Sequence, residues 1–565
     1  MRILQTHVDF IEYEPTEKEI KDAEEVEKKK YRYDDVVVLF TSVEEGDNDA
    51  VAKTAIDDVK TFLGKVKCNE IILYPFAHLS RDLAPPSDAL KIIKEMESHA
   101  KGLKIKVHRA PFGWTKAFQM RTKGYPLAET AKIYSKHEKE VETRVEKKEK
   151  LTEHGMMARI RKSDFSGLPE TDHRVIGEKL DLFSFQEPSP GMVYWHDKGV
   201  KLRNILMEFI RAELAKRKYI EISTPALANT VLWRVSGHWD HYKDNMFTTE
   251  LGNEEFGLKP MNCPSTFLYY KSKKWSYKDF PLRVSDFDQL YRNELSGVAS
   301  GLFRVKVLTQ DDAHTFVTED QTESEMSEQV EIMKKMYDVF GLKYNVKIST
   351  MPDDHIGTKG QWDKAVDILK KVVKKNGLKA EVKEKEGAFY GPKIDVDIKD
   401  SMGREWQCST IQLDFQMPQR FQLTYTGEDG KEHTPIVIHR VIYGSFERFI
   451  GILIEHYQGK FPVWLAPVQA IVVSISDQNE KYAKTIEKEL LENGIRVVSD
   501  YEANTIGYKI RNAQLQKIPY SIVIGKKEED AKTISVRSNY DGKEKQGVKI
   551  ENFVKQIKDE IKNFN

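Results

Sequence analysis

The sequence predicts a multidomain protein of mixed α/β and α+β class, and three observations carry that expectation. At 565 residues the chain exceeds what a single hydrophobic core organises. Strand-like and helix-like stretches alternate through the first 137 residues and again from residue 466. Between them lie three longer blocks with a different rhythm, each joining strand to helix or strand to strand.

The first 137 residues read as an α/β unit. The run VVVLF (36–40) is strand-like; a helical stretch follows, then EIILYPF (70–76), a second helix and LKIKVH (103–108). The nearly continuous charge of SKHEKEVETRVEKKEK (135–150) is the pattern of a solvated helix or linker, and a domain boundary is expected there. Residues 151–190 read as a connector ending in the turn-rich EPSPG.

From residue 198 the pattern sharpens. Leu202, Ile205, Leu206, Phe209 and Ile210 follow the i, i+3, i+4, i+7, i+8 spacing of an amphipathic helix. The pattern changes to alternation at Ile220 and Ile222 and stops at Pro225. A second block, 280–316, reads as two strands around a loop of small residues. A third, VIYGSFERFIGILIEHY (441–457), passes through Gly444 and Ser445 into a helix whose buried face is marked by Ile450, Leu453, Ile454 and Tyr457. LAPVQAIVVSIS (465–476) starts a further alternation that runs to the C-terminus.

Composition narrows the function. Lys and Arg number 89 against 89 Asp and Glu, which excludes a strongly basic nucleic-acid coat and leaves room for a local basic groove. Only Cys68, Cys263 and Cys408 are present, too few and too unevenly spaced for a disulfide framework, so a reducing compartment is expected. MRILQTHVDFIEYE lacks the apolar core of a signal peptide, and no apolar run reaches the roughly 18 residues of a membrane span. The expectation is a soluble, cytoplasmic protein.

Neither a GxxxxGK[ST] loop nor a Rossmann glycine fingerprint occurs. If ATP is bound, arginines must hold its phosphates, which a guanidinium fork does well. HIGT (355–358) lies outside any strand–helix nucleotide unit and reads as coincidence. Cys263 is held between Pro260 and Pro264 in GLKPMNCPSTF. A lone cysteine is ordinarily a small buried hydrophobe, and residue type alone favours that reading.

The three blocks in order resemble motifs 1, 2 and 3 of the class II aminoacyl-tRNA synthetases: the helix and strand ending at Pro225; Arg292-Asn293-Glu294 with a loop and a return strand carrying Arg304; and the ERFIGILIE helix with Arg448. SGHWDHYKDNMFTT, KPMNCP, TQDDAHTF, AFYGPKID and VIHRVIYGSFERF are similar to the catalytic domain of the threonyl-tRNA synthetase family. The similarity is dense over 170–465, and the C-terminal block resembles the anticodon-binding domain of the same subgroup. The resemblance implies a class II antiparallel-sheet core over 172–465, after an editing domain (1–137) and a charged linker (138–171), with an anticodon-binding domain over 466–565.

It also implies chemistry. Cys263, His314 and His439 match the family's zinc ligands; a Cys/His/His set leaves a fourth tetrahedral position open, as catalytic zinc sites do. Asp312 matches the acceptor for the threonine hydroxyl, Gln310 and Tyr390 the residues that seat the amino group, and Arg292 the grip on the α-phosphate and carboxylate. Arg304 and Arg448 match the remaining ATP contacts, with Mg²⁺ on the pyrophosphate. His238 matches a histidine that helps activate the terminal ribose of tRNA(Thr). The implied partners are ATP, L-threonine, tRNA(Thr) and a second copy of the chain, through the motif 1 helix and strand. Glu528 and Arg537 keep the spacing of anticodon contacts. The loop Leu295–Ser300 departs from the proline and histidine of many relatives.

YPFAHLS, RAPFGWTKAF and KGYPLAE resemble the archaeal-type N-terminal domain of the same family, a relative of D-aminoacyl-tRNA deacylases. They place His78, Lys116 and Glu129 at positions of an editing site for Ser-tRNA(Thr), with Thr115 where some relatives carry tyrosine. Two other readings stay open at this point: another class IIa synthetase, prolyl or seryl, against which the Cys/His/His set speaks, and an RNA-binding regulator built from an inactive synthetase, against which the three arginines speak.

Overall fold

A computed structural model describes residues 1–20, 23–80, 83–124, 128–134, 165, 167–294, 301–400 and 403–564. They belong to two units, Met1–Arg159 and Ile160–Asn565. The charged stretch 135–150 and the Leu295–Ser300 loop lie outside the described residues. Among those described, no helix is long and apolar enough to cross a membrane.

The first unit is one six-stranded sheet. Its strands run in the order Lys106–Arg109, Glu70–Pro75, Tyr31–Ser42, Arg2–Lys18, Trp114–Thr122, with Glu129–Ile133 also on Arg2–Lys18. The three strands foreseen in the sequence are mutually parallel, and each parallel step requires a crossover. Helices Asp49–Val66 and Pro86–Gly102 supply them. They bury Ile56, Val59, Ile92 and Met96 against Val37, Leu39, Ile71 and Leu73. Val36, Val38, Ile72 and Tyr74 face the other way, onto Val8, Ile11 and Tyr13. Burial on both faces is why VVVLF is continuously apolar. The 17-residue strand Arg2–Lys18 has no such run, because Gln5, Thr6 and His7 break its alternation; it was not foreseen.

The second unit is organised by an eight-stranded sheet. Its core is antiparallel: Lys393–Lys399, Glu405–Asp414, Ile436–Val441, Asp312–Val317 and Leu282–Asp286 are neighbours in that order. Helices Asp197–Ala215, Thr322–Phe340, Lys359–Lys375 and Phe446–Tyr457 share one large apolar core with it. Helix Cys263–Lys271 packs into a separate cluster with Leu282, Val284, Phe316 and Val437.

Three local differences from the sequence reading have physical causes. The 280–316 block forms four short strands, because Asp286 and Asp288 turn the chain: the Asp288 N–H donates to the Asp286 carboxylate, and Asp288 accepts from Thr224 N–H and Lys259 Nζ. Residues 173–195 are not a connector; they carry helix His173–Lys179 and the pair Phe183–Phe185 and Val193–Trp195. The apolar face of Asp197–Ala215, expected at a dimer contact, is consumed by its own chain's core through Leu202, Leu206 and Ile210. Exposed apolar side chains remain on that helix and the strand after it, at Val200 (39%) and Ile220 (37%), and in the following segment, at Val231 (60%) and Val235 (40%).

The C-terminal part is a five-stranded sheet, Val497–Asp500, Ala470–Ser474, Tyr520–Ile524, Ile534–Ser538, Glu544–Val548. Helices Glu480–Glu492 and Ile550–Lys562 pack on it through Ile486, Leu490, Phe553 and Ile557.

Candidate active site

Sheet register assembles the site. In one row across neighbouring strands, Val284 opposes His314, His314 opposes His439, and His439 opposes Gln412. Directly opposed residues project from the same face, so two histidines 125 positions apart become neighbours. Cys263, at the start of its helix, comes in from above that face: its Sγ and one nitrogen of each histidine all lie within 4.8 Å of one another.

The trio is prepared as a metal site. All three residues are buried. His439 Nε2 bonds Asp414 Oδ2 at 2.9 Å, which commits one ring nitrogen and frees the other. His314 Nδ1 is buried with no hydrogen-bond partner, a costly state for a polar atom unless something else engages it. Burial lowers the His314 imidazole far below its usual range, with His439 and Arg440 adding to it. Burial also raises the Cys263 thiol far above its own, as do the Asp312 and Asp414 carboxylates. Zinc bonds of about 2.0–2.3 Å suit S/N donors in this arrangement, so the donor set and the orphaned nitrogen fit a zinc ion.

The same cavity, of about 380 Å³, is lined by Cys263, His314 and His439 and also by Arg292, Arg304, Arg448, Asp312, Gln310 and Tyr390. Nine residues singled out in the sequence thus share one pocket. Arg292 Nε donates to Pro260 O at 3.3 Å. Arg304 makes a two-pronged pair with Glu294, at 2.7 and 3.0 Å. Arg448 sits in the first turn of its helix, its N–H capped by Ser445 Oγ. Its guanidinium donates to Gln407 O at 2.7 Å and Phe303 O at 3.1 Å. Burial lowers its pKa, with Arg292 and Arg304 contributing. Three cations on one wall make an anion-binding surface.

Polar groups occupy the space between. Asp312 Oδ2 accepts from Asn262 Nδ2 at 3.2 Å, and burial raises its carboxyl. Gln310 Nε2 donates to Gly444 O at 2.7 Å, and the Tyr390 hydroxyl donates to Gln412 Oε1. His238 is not part of the cavity wall. It is buried beside the trio, its Nε2 4.0 Å from Cys263 Sγ and its Nδ1 2.8 Å from Ser236 Oγ.

Sequence reasoning missed Gln412, Thr410, Asp414 and Trp406. The signal was the alternation in EWQCSTIQLD, where Thr410 and Gln412 share a face opposite Ile411 and Leu413. It marks a two-faced strand without saying what its polar face meets.

In the first unit, Lys116 Nζ donates to Pro111 O (3.2 Å) and Trp114 O (2.8 Å) and lies 5.0 Å over the Tyr74 ring. Burial brings its pKa down to about 8. Tyr74, Phe76 and the exposed His78 form a chain of ring contacts at 6.5 and 5.1 Å, so Lys116 and His78 border one aromatic patch. Glu129 is exposed and lies on a different strand, paired with Thr6 of Arg2–Lys18, whereas Lys116 pairs with Pro15, nine residues along that strand. In the C-terminal sheet, Glu528 accepts from Gly525 N–H and Ser535 Oγ. Arg537 is two residues beyond Ser535 on the same strand face and pairs with Glu544.

Among the described residues one further group could hold an ion, Asp172, His173 and Glu455. Its ligand atoms are already hydrogen-bonded.

Comparison with known proteins follows the same division. A model described as the archaea-specific editing domain of threonyl-tRNA synthetase matches residues 1–133. One for the class II tRNA synthetase core domain (G, H, P, S and T) matches 247–457, and one for an anticodon-binding domain matches 469–560. A threonine–tRNA ligase of Natranaerobius thermophilus is 50% identical over 371 residues, 66% of this chain and 58% of that protein. The chain therefore spans less than two thirds of the length of the curated relatives it matches. The crystal structure of the RNA binding domain of threonyl-tRNA synthetase from Cryptosporidium parvum is 41% identical with a TM-score of 0.67. It covers 69% of this chain and 98% of its own. The crystal structure of putative threonyl-tRNA synthetase ThrRS-1 from Aeropyrum pernix is 29% identical with a TM-score of 0.62, over 70% of this chain and 97% of its own.

Proposed function

Because the chain belongs to the threonyl-tRNA synthetase family, we propose that it activates L-threonine with ATP and transfers it to tRNA(Thr), hydrolysing Ser-tRNA(Thr) in its N-terminal unit. The observation that carries this reading is the single cavity shared by Cys263, His314 and His439 with Arg292, Arg304 and Arg448. The trio offers a place for the polar groups of an amino acid, and the arginines beside it a place for the phosphates it is joined to.

In the first step a threonine carboxylate oxygen attacks the α-phosphorus of ATP and the bond to pyrophosphate breaks. Arg292 balances charge on the α-phosphate and the carboxylate, and Arg448 and Arg304 hold the rest of the triphosphate. Mg²⁺ accompanies ATP as its counter-ion. Asp312 accepts the threonine hydroxyl proton in a hydrogen bond, and Gln310 and Tyr390 seat the amino group. Zn²⁺ held by Cys263, His314 and His439 supplies, when bound, a Lewis-acid position for the amino and hydroxyl groups together. In the second step a terminal ribose hydroxyl attacks the carbonyl carbon of threonyl-adenylate, the bond to phosphate breaks and AMP leaves, with His238 assisting removal of the hydroxyl proton.

This polar pocket rejects valine, which would leave Asp312 unpaired. Serine keeps the hydroxyl and lacks one methyl, worth only about 1–3 kcal/mol. A separate hydrolytic site over residues 1–137 is therefore needed, with Lys116 polarising the ester and His78 and Glu129 positioning the substrate. Residues 172–465 act as the catalytic domain and 466–565, through Glu528 and Arg537, bind the anticodon. The reading includes a homodimer working in the cytoplasm.

Threonine-dependent ATP–pyrophosphate exchange tests the activation step directly. Exchange that needs threonine and is absent with valine supports it; exchange driven by proline or serine instead would replace it.

A further inference from the structure

His173 is buried in the second unit, remote in sequence from every residue of the cavity, and none of the roles above uses it. Its Nε2 accepts the Leu302 N–H at 3.0 Å. That bond fixes Nε2 as a bare acceptor and puts the ring proton on Nδ1, which donates to Glu455 Oε1 at 2.9 Å. Glu455 also accepts the His173 N–H, and its other oxygen accepts from Arg404 Nη2 at 3.0 Å. With every polar face engaged, the group is a hydrogen-bonded hub and not an ion site.

The hub leads to Arg448. The His173 ring packs on Phe303 with centroids 4.2 Å apart, and the Phe303 carbonyl accepts Arg448 Nε. Phe303 in turn stacks on Trp406 at 4.4 Å and 19°. Arg448 and Glu455 stand on one helix, seven positions apart, which is two turns and therefore one face. Helix, hub, turn and guanidinium close a ring: His173 ties the Gly301–Phe303 turn to one end of the helix face, and Arg448 ties it to the other. Gly301 completes the fit. Its φ is +57°, and a side chain there would put its Cβ 2.3 Å from His173 Nε2.

We propose that His173 is a positioning residue for ATP: by holding Leu302 N–H on a bare Nε2 it sets the Phe303 carbonyl that aims Arg448 into the cavity. This rests on the proposed activation chemistry, in which Arg448 grips ATP and the Cys/His/His side grips threonine. A change at His173 should therefore act on one substrate only.

The test is pyrophosphate exchange with ATP and threonine varied separately. His173→Phe keeps a ring and removes the acceptor, and should raise the ATP KM about tenfold, the size of losing one hydrogen bond of about 1.4 kcal/mol, with the threonine KM within twofold of wild type. His173→Gln, whose amide oxygen can accept from Leu302, should recover most of the loss. Gly301→Ala, which presses a methyl on Nε2 from the same turn that donates to it, should repeat the ATP-selective defect and covers the case in which His173→Phe does not fold. Unchanged ATP KM in the folded variants, equal rises for both substrates, or a Gln variant no better than Phe would each overturn the assignment. A wild-type chain without threonine-dependent exchange would instead reject the proposed function, so the two failures are distinguishable.

Discussion

His314 and His439 lie directly opposite each other on adjacent antiparallel strands, ring centroids 4.8 Å apart and planes at 77°. The pair is created by sheet register, and Cys263 completes it from a separate helix. Rings held this close, one of them with a buried nitrogen that has no hydrogen-bond partner, are suited to share a ligand.

Replacing Cys263 by Ser should remove zinc and threonine activation while the chain stays folded. The side chain changes little in volume, but a hydroxyl is a poor zinc ligand beside a thiolate. Metal analysis with circular dichroism checks this; full zinc with normal threonine KM would contradict it.

Asp414→Asn should weaken zinc binding by about 10–100-fold, the usual effect of losing a carboxylate that orients a ligating histidine. An asparagine oxygen can still accept from Gln416 N–H and Met417 N–H, as Asp414 Oδ1 does, so the fold should survive. Competition with a zinc chelator measures the change. Unaltered affinity would mean that His439 is not a ligand.

Lys116→Met should let Ser-tRNA(Thr) accumulate and leave threonylation intact. The wild-type ammonium, brought down to about 8 by burial, also sets a pH dependence. If the protonated form polarises the ester, catalysed seryl-tRNA hydrolysis should fall as pH rises through about 8, once spontaneous hydrolysis is subtracted. Stability runs the other way. The folded pKa lies below the 10.5 of a free lysine, so between these values the unfolded chain holds a proton that the folded one has released. Burying the charged lysine costs stability below pH 8, and that cost is relieved as pH climbs to 10.5. A catalysed rate that keeps rising to pH 9.5 would remove Lys116 from the chemistry.

Dimerisation is expected through the helix and strand of the 198–225 block, where Val200 (39%) and Ile220 (37%) stay exposed, and the exposed Val231 and Val235 follow in sequence. Val231 and Val235 are four apart on one short helix, so they share a face. Val231→Asp should move a dimer toward monomer in sedimentation at micromolar concentration. A wild-type monomer with full activity would contradict the expectation.

The sequence carried the local part of this account well. Leu202, Leu206 and Ile210 announced their helix by spacing, and the KPMNCP, TQDDAHTF and VIHR words pointed to the trio by resemblance. What was not legible is long-range. No spacing rule links His314 to His439 or His173 to Leu302, because strand pairing and helix packing set those distances and local pattern does not. Nothing local in the sequence sets Asp414 apart from any other carboxylate, because its partner His439 is reached only through strand pairing. The Arg2–Lys18 strand was hidden because it has no continuous apolar run and its alternation is broken by Gln5, Thr6 and His7, polar residues that the folded sheet buries. Periodicity likewise shows that a helix has a buried side, not which molecule buries it: Leu202, Leu206 and Ile210 are buried within their own chain.

The central claim is that one cavity joins a zinc-bound threonine to arginine-bound ATP. Metal content measured on the same preparation as amino-acid-dependent ATP–pyrophosphate exchange tests it most directly. The account predicts zinc near one equivalent per chain and exchange that requires threonine and is lost when zinc is stripped. Threonine-dependent exchange of full rate in metal-free protein would contradict it.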